Sequence, residues 1–219
     1  MDTMVKQSNN GKEKTVERQT ITISPPNMKY ATFSIVGTSP YVQAKFSQKA
    51  MNMMMEKHRL GDAAKKGKKR VPRDFAEDCK NATYISTEGW MGIPAPSIRA
   101  AMVAACRLVG FKMTHAKLCF DIVPDGFDNS EYKPMIKIEG KPIQYEAPVR
   151  NETGVCDIRS RPMWKEWSAK VNIRYDADMF SISDVANLLA RAGLQVGIGE
   201  GRPNSRECVG LGWGVFKVE

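Results

Sequence analysis

The stretch SISDVANLLARAGLQVGIGEGRPNSRECVGLGWGVFKV (residues 181–218) constrains the fold more than any other part of the chain. Val185, Leu188 and Leu189 fall on one side of a 3.6-residue period. Ser181 or Ser183 can open that helix and Gly193 can stop it. Six glycines follow between Gly197 and Gly214, and the alternating tail GWGVFKVE then reads as a final strand. Glycine accepts positive φ and lets another backbone come close, so a crowded reversal between helix and strand is expected. A dinucleotide fingerprint is excluded, because its glycines open a helix after a strand. A Walker loop is excluded because no GK[ST] is present. A glycine-rich turn in this position can offer N–H groups to phosphate oxygens. Arg202 and Arg206 add charge, and Asn204 and Ser205 add small polar groups. Gly197, Gly199, Gly201, Arg202, Asn204 and Arg206 are therefore candidate nucleic-acid contacts.

The preceding elements follow from the same reading. Lys29 to Val36 alternates as a strand. In AKFSQKAMNMMMEKHRLGDAAKKGKKRVPRDFAEDC the first half is predicted helical and the middle a mobile basic loop; Met51, Met53, Met54 and Met55 are expected in the core. Ser97 is the expected N-cap of a helix from about Ile98 to Leu108, with Gly110 as its C-cap. Ala100, Ala101, Ala104 and Ala105 make that helix thin. AKLCFDIVP reads as a strand with His115 just before it. PMIKIEGKPIQYEAPVR reads as a strand, a turn at Gly140-Lys141 and an extended piece. NETGVCDIRSRPMWKEW reads as irregular, and SAKVNIRYDA as a strand. Without its insertions the order is β-α-β-β-α-β. That predicts an α+β, ferredoxin-like (RRM-like) fold, with two helices on one face of an antiparallel sheet. Residues 1–20 read as a flexible arm. Residues 21–219 read as a single domain with a basic insertion at about 44–80.

The 219 residues carry a net charge of +9, and between Lys45 and Arg73 ten Lys/Arg face only two acids, Glu56 and Asp62. That window alone holds +8, which points to a polyanionic partner. The five cysteines are scattered without a CxxC pair, which argues against a disulfide framework or a zinc site. No cofactor and no metal is expected. No apolar run approaches the roughly 20 residues of a membrane span, and the polar N-terminus has no signal-peptide core. A soluble cytoplasmic protein without membrane contact is expected.

Two motifs and the order of elements resemble a known family. IPAPSIRAAMVAACR (Ile93–Arg107) looks like the lead-in to the first helix of RAMP proteins, the RRM-like RNA-binding subunits of CRISPR effector complexes. GIGEGRPNSRECVGLGWG (Gly197–Gly214) resembles their C-terminal glycine-rich loop. Ala100 stands where that family often has glycine. The chain is also similar in style to uncharacterised proteins of tailed bacteriophages, so a phage-encoded RAMP-like protein, working in the host cytoplasm, joins both likenesses. The resemblance implies RNA binding and assembly of copies along the strand, hence a homo-oligomer.

These readings converge on a non-catalytic protein that binds single-stranded RNA, or single-stranded DNA, through its backbone. Lys57, Arg59, Lys65, Lys66, Lys68, Lys69, Arg70 and Arg73 would form an electrostatic clamp. Ser97, Arg99 and the glycine loop would fix the strand. Arg150, Arg159 and Arg161 beside Trp164 suit phosphate pairing and base stacking. Two alternatives stay open. One is a phage structural protein or an inhibitor of host machinery. The other is a RAMP-type endoribonuclease, for which His58 is the catalytic candidate and Asp121, Asp125 and Asp128 the carboxylates to consider.

Overall fold

The computed structural model describes residues 23–46, 48–61, 72–150, 154, 156–205 and 210–219. In chain order the elements are β1 (Met28–Gly37), β2 (Tyr41–Val42), α1 (Gln48–Leu60), α2 (Phe75–Asn81), β3 (Gly92–Pro94), α3 (Ala95–Ala105), α4 (Met113–Cys119), β4 (Phe120–Val123), β5 (Gly126–Phe127), β6 (Pro134–Glu139), β7 (Ile143–Arg150), β8 (Cys156–Trp164), β9 (Ser168–Asp176), α5 (Ile182–Arg191) and β10 (Phe216–Val218). The protein is α+β with antiparallel sheets.

β9 is the spine of the larger sheet. One of its edges pairs with β1 from Met28↔Asp176 to Val36↔Ser168. Its other edge pairs with β4 through Phe120↔Tyr175 and with β6 through Ile138↔Ala169. β10 lies outside β1, and β3 and β5 lie outside β6. Across the middle the order is β10-β1-β9-β4. One sheet face is built from period-2 apolar positions: Ala31, Phe33 and Ile35 of β1, Val171, Ile173 and Tyr175 of β9, Phe120 and Ile122 of β4, and Phe216 of β10. α3 and α5 cover this face and touch each other, contributing Ile98, Met102 and Ala105, and Val185, Leu188 and Leu189. The opposite face is polar, with Tyr30, Thr32, Lys170 and Arg174 exposed, as one-sided antiparallel sheets allow.

A second sheet, β2-β8-β7, is built mainly on a hairpin paired from Ile143↔Met163 to Arg150↔Cys156. α2 packs on β8. Tyr41 lies 5.7 Å from Trp164 and 5.4 Å from Trp167, centroid to centroid, where the chain passes from β8 to β9. That aromatic cluster knits the two sheets together.

Several local expectations are corrected. Five α-helices occur among the described residues, where the β-α-β-β-α-β plan has two. Residues 156–164, read as irregular, form β8; its Asp, Arg and Ser side chains hide the strand period, and its pairing to β7 supplies what alternation does not. Residues 116–119 belong to α4, as does His115, because Ala116 and Cys119 bury one short helical face. α3 starts at Ala95 with Pro94 as its N-cap, so Ser97 lies in the first turn. Gly110 does close the helix region, in the left-handed conformation at φ 71°. α1 leaves Met53, Met54 and Met55 exposed at 63, 55 and 46 %, so the methionine cluster is not core. The N-terminal arm and most of the basic loop lie outside the described residues. Among the described residues no helix is long and apolar enough to cross a membrane.

Candidate functional site

β3 runs straight into α3 through Ile93 and Pro94, and the pairing Ile93↔Ile136 fixes the direction of the helix. Pro94 makes no side-chain cap, and the first turn contains no acidic residue. The partial positive charge of the helix start therefore faces its surroundings without a side chain of the helix to neutralise it. Beside it lies a hollow of about 400 Å³. One wall is Pro96, Ser97, Ala100 and Ala104 of α3; the other is Val196 to Gly199 with Arg202 and Asn204; Tyr84 and Lys133 close one side. An adjoining hollow of about 300 Å³ shares Tyr84, Ser97, Gly199 and Arg202 and adds Gln43, Glu200 and Gly201. Two motifs a hundred residues apart in sequence thus form one cleft.

The glycine loop reaches this position because its backbone is pressed against its neighbours. Gly199 sits at φ 79°, and a Cβ there would lie 2.5 Å from the Val42 carbonyl oxygen. The amide of Glu200 donates to that same oxygen at 3.0 Å, tying the loop to β2. Gly214, at φ 66°, lies against the Ile198 carbonyl so tightly that a side chain has no room. The Ile198 amide donates to Gly214 O at 3.0 Å and the Asn204 amide to Val196 O at 3.1 Å. Much of the loop is therefore consumed by its own scaffold. The amides of Gly199 and Gly201 find no acceptor among the described residues.

Positive charge in the cleft comes from two side chains, while the Glu200 carboxylate lining the adjoining hollow is paired with Arg161. The Arg202 guanidinium is braced by donating to Gly199 O at 3.0 Å and meets no carboxylate among the described residues. Lys133 lies 2.8 Å from Glu131 and 5.1 Å from the centre of the Tyr84 ring. Burial pushes the Lys133 ammonium down, but hydrogen bonds to Glu131 and the Tyr84 hydroxyl outweigh it and leave the group more basic than usual. Beneath the cleft, buried Gln43 donates from Nε2 to Gly92 O at 2.6 Å and accepts the Tyr84 amide at 3.0 Å. Lys45 reaches Asp128 at 2.7 Å, with both side chains almost wholly buried. The Asp128 carboxylate also accepts from the Ser130 hydroxyl and from the amides of Ser130 and Glu131. Burial raises its pKa, yet the Lys45 ammonium and these donors outweigh burial and hold it below the ordinary aspartate range.

Of the residues expected from sequence, the cleft gathers Ser97, Gly197, Gly199, Gly201, Arg202 and Asn204. Others lie elsewhere. Arg99 points away, donating to Phe120 O at 3.2 Å and approaching Asp121 at 3.4 Å, so it staples α3 to β4. Trp164 is fully buried beside Tyr41 and cannot stack on a base; its role is packing. Arg161 on β8 pairs with Glu200 at 3.0 Å and braces the glycine loop from outside. Arg159 also lies on β8, and Arg150 closes β7. Arg73 pairs with Asp78 and Asp157 at 2.7 and 2.8 Å, joining the start of α2 to β8. Lys57, His58 and Arg59 are exposed on α1 and line neither hollow. Lys65, Lys66, Lys68, Lys69, Arg70 and Arg206 lie outside the described residues. The three candidate carboxylates have separate partners: Asp121 faces Arg99 and Arg174, Asp125 accepts the Lys137 amide, and Asp128 holds Lys45.

Tyr84, Lys133 and Gln43 carry no signal in their local sequence. Tyr84 precedes an isolated bridge, and Lys133 ends the turn that Asp128 organises, so only tertiary folding brings them to α3. The cleft joins an uncapped helix start, a guanidinium, an ammonium and two spare amides to an apolar wall of small side chains. It can hold an anion at its mouth and an apolar body within. No protein-family model matches the chain, and comparison with curated proteins finds no match.

Proposed function

We propose that the protein binds single-stranded nucleic acid, RNA before DNA, without chemical conversion, and that the cleft between α3 and the glycine loop holds the strand. The carrying observation is the meeting of Ser97, Arg202 and the loop glycines with Lys133 in one cleft beside an uncapped helix start. Phosphate oxygens suit the Arg202 guanidinium, the Lys133 ammonium and the amides of Gly199 and Gly201. The net charge of +9 supplies the long-range attraction. In this reading Lys65, Lys66, Lys68, Lys69 and Arg70, which lie outside the described residues, add to that attraction.

The strand order β10-β1-β9-β4, with α3 and α5 as crossovers on one face, supports a ferredoxin-like unit of RAMP type. The other helices and the small sheet are then insertions into it. The likeness of the two motifs to RAMP proteins, and with it assembly along RNA in a phage-infected cell, belongs to the same proposal.

The test is equilibrium binding of nuclease-treated protein to RNA, single-stranded DNA and duplex DNA of one length. Single strands should bind more tightly than duplex, with RNA ahead of DNA. Failure to bind any of them at low salt overturns the reading.

One observation favours a second reading, an interaction protein. α1 leaves Met53, Met54, Met55 and Leu60 exposed among the described residues. Sedimentation of nucleic-acid-free protein separates the two. A monomer under those conditions fits the strand-binding reading, and a closed oligomer fits the other.

A further inference from the structure

Resting on the strand-binding reading, we infer that the larger hollow is a base pocket: one nucleotide turns out of the bound strand and inserts its base between α3 and the glycine loop. A phosphate needs charge and N–H groups, and the mouth provides them. It does not need the space behind the mouth. The hollow as a whole is about 400 Å³, within the roughly 300–1,000 Å³ range of small-ligand pockets and more than a phosphate fills. One wall is the alanine face of α3, Ala100 and Ala104, and the facing wall is the segment from Val196 to Gly199, whose Val196 and Ile198 side chains are themselves buried in the core. The side chains are small on the α3 side and the facing segment carries Gly197 and Gly199, so the space between them suits a flat heterocycle.

The polar side chains of Ser97, Lys133, Arg202 and Asn204 also line the hollow. Asn204, which is exposed, offers both a carbonyl oxygen and an NH2, so it can meet donor and acceptor on a base edge. Ser97 offers a hydroxyl that donates or accepts. Arg202 belongs to both hollows, so it can hold the phosphate of the nucleotide whose base is inserted. Recognition of single strands commonly uses unstacked, splayed bases read on their edges, and this arrangement fits that mode. Tyr84 is not the stacking platform, because Lys45 and Lys133 already lie 5.3 and 5.1 Å from the centre of its ring.

The test compares two oligonucleotides of one length and backbone, one with bases and one fully abasic. Both are titrated against the full-length protein and against variants that fill the hollow, Ala104→Leu and Ala100→Leu. Ala100 is exposed, so its variant remains usable if Ala104→Leu folds poorly. The wild type should prefer the base-bearing strand by about tenfold or more, the size of one buried base contact. In either filled variant that ratio should fall toward one. A wild-type ratio near one overturns the base pocket while leaving strand binding intact. A large ratio unchanged by both variants also overturns it, since the bases are then held elsewhere. Failure of the wild type to bind either strand overturns the strand-binding reading itself.

Discussion

Gly214 shows how much of the cleft rests on single residues. Its left-handed backbone and its contact with the Ile198 carbonyl leave no room for a methyl group. Gly214→Ala should cost about 1–3 kcal/mol, measured by denaturant unfolding, and should weaken strand binding because the loop must shift. Asp128 is the second such residue. It is buried with Lys45 and accepts three further hydrogen bonds. Asp128→Asn leaves a buried ammonium without its counter-charge, and should cost about 3–5 kcal/mol at neutral pH. The pH dependence has a fixed sign. The folded carboxyl titrates below its ordinary 3.8, so its contribution is complete above that value and is lost as pH falls through the lower folded value. The stability gap between wild type and Asp128→Asn should therefore close in acid; a gap that widens there would contradict the assignment. Little of this was legible in the sequence. The loop glycines announced a crowded reversal, but nothing near Asp128 in the chain announced Lys45, and neither the turn of Arg99 toward Phe120 nor the burial of Trp164 has a local cause.

At the scale of elements, α5 is the part most fully written in its own sequence. Ser181 and Asp184 form a reciprocal capping box, and Val185, Leu188 and Leu189 face the sheet. Ser181→Ala should cost about 0.5–2 kcal/mol and Leu189→Ala about 2–5 kcal/mol in thermal or denaturant unfolding. Equal, negligible losses would mean that α5 does not cover the core. β1 and β9 were equally readable, because each buries one face and so shows alternation. β8 and α4 were not. β8 is specified by its register with β7, and the seven-residue α4 buries only Ala116 and Cys119, too few to set a period. The start of α3 lay between these cases: Pro94 and Pro96 marked it, but Ser97 looked like the cap and instead lines the cleft.

Over the whole molecule, the α+β class with antiparallel strands was legible because strands and helices carry different periods. α2 lay inside what read as a basic insertion, the end of α4 inside what read as a strand, and β8 inside what read as irregular chain. The cleft was half legible: both of its motifs stood out, but their meeting depends on the sheet order and on Tyr84 and Lys133. The central claim, that this cleft neutralises the backbone of a single strand, is tested most directly by salt dependence. Binding of one single-stranded RNA should be measured across a salt series for the wild type and for Arg202→Ala/Lys133→Ala. Each phosphate contact in a single strand contributes about 0.7 to the slope of log K against log salt. The account predicts weaker binding and a slope reduced by about 1.4 in the double variant. An unchanged affinity and slope, in a variant that still folds, would show that the strand lies elsewhere and contradict the account.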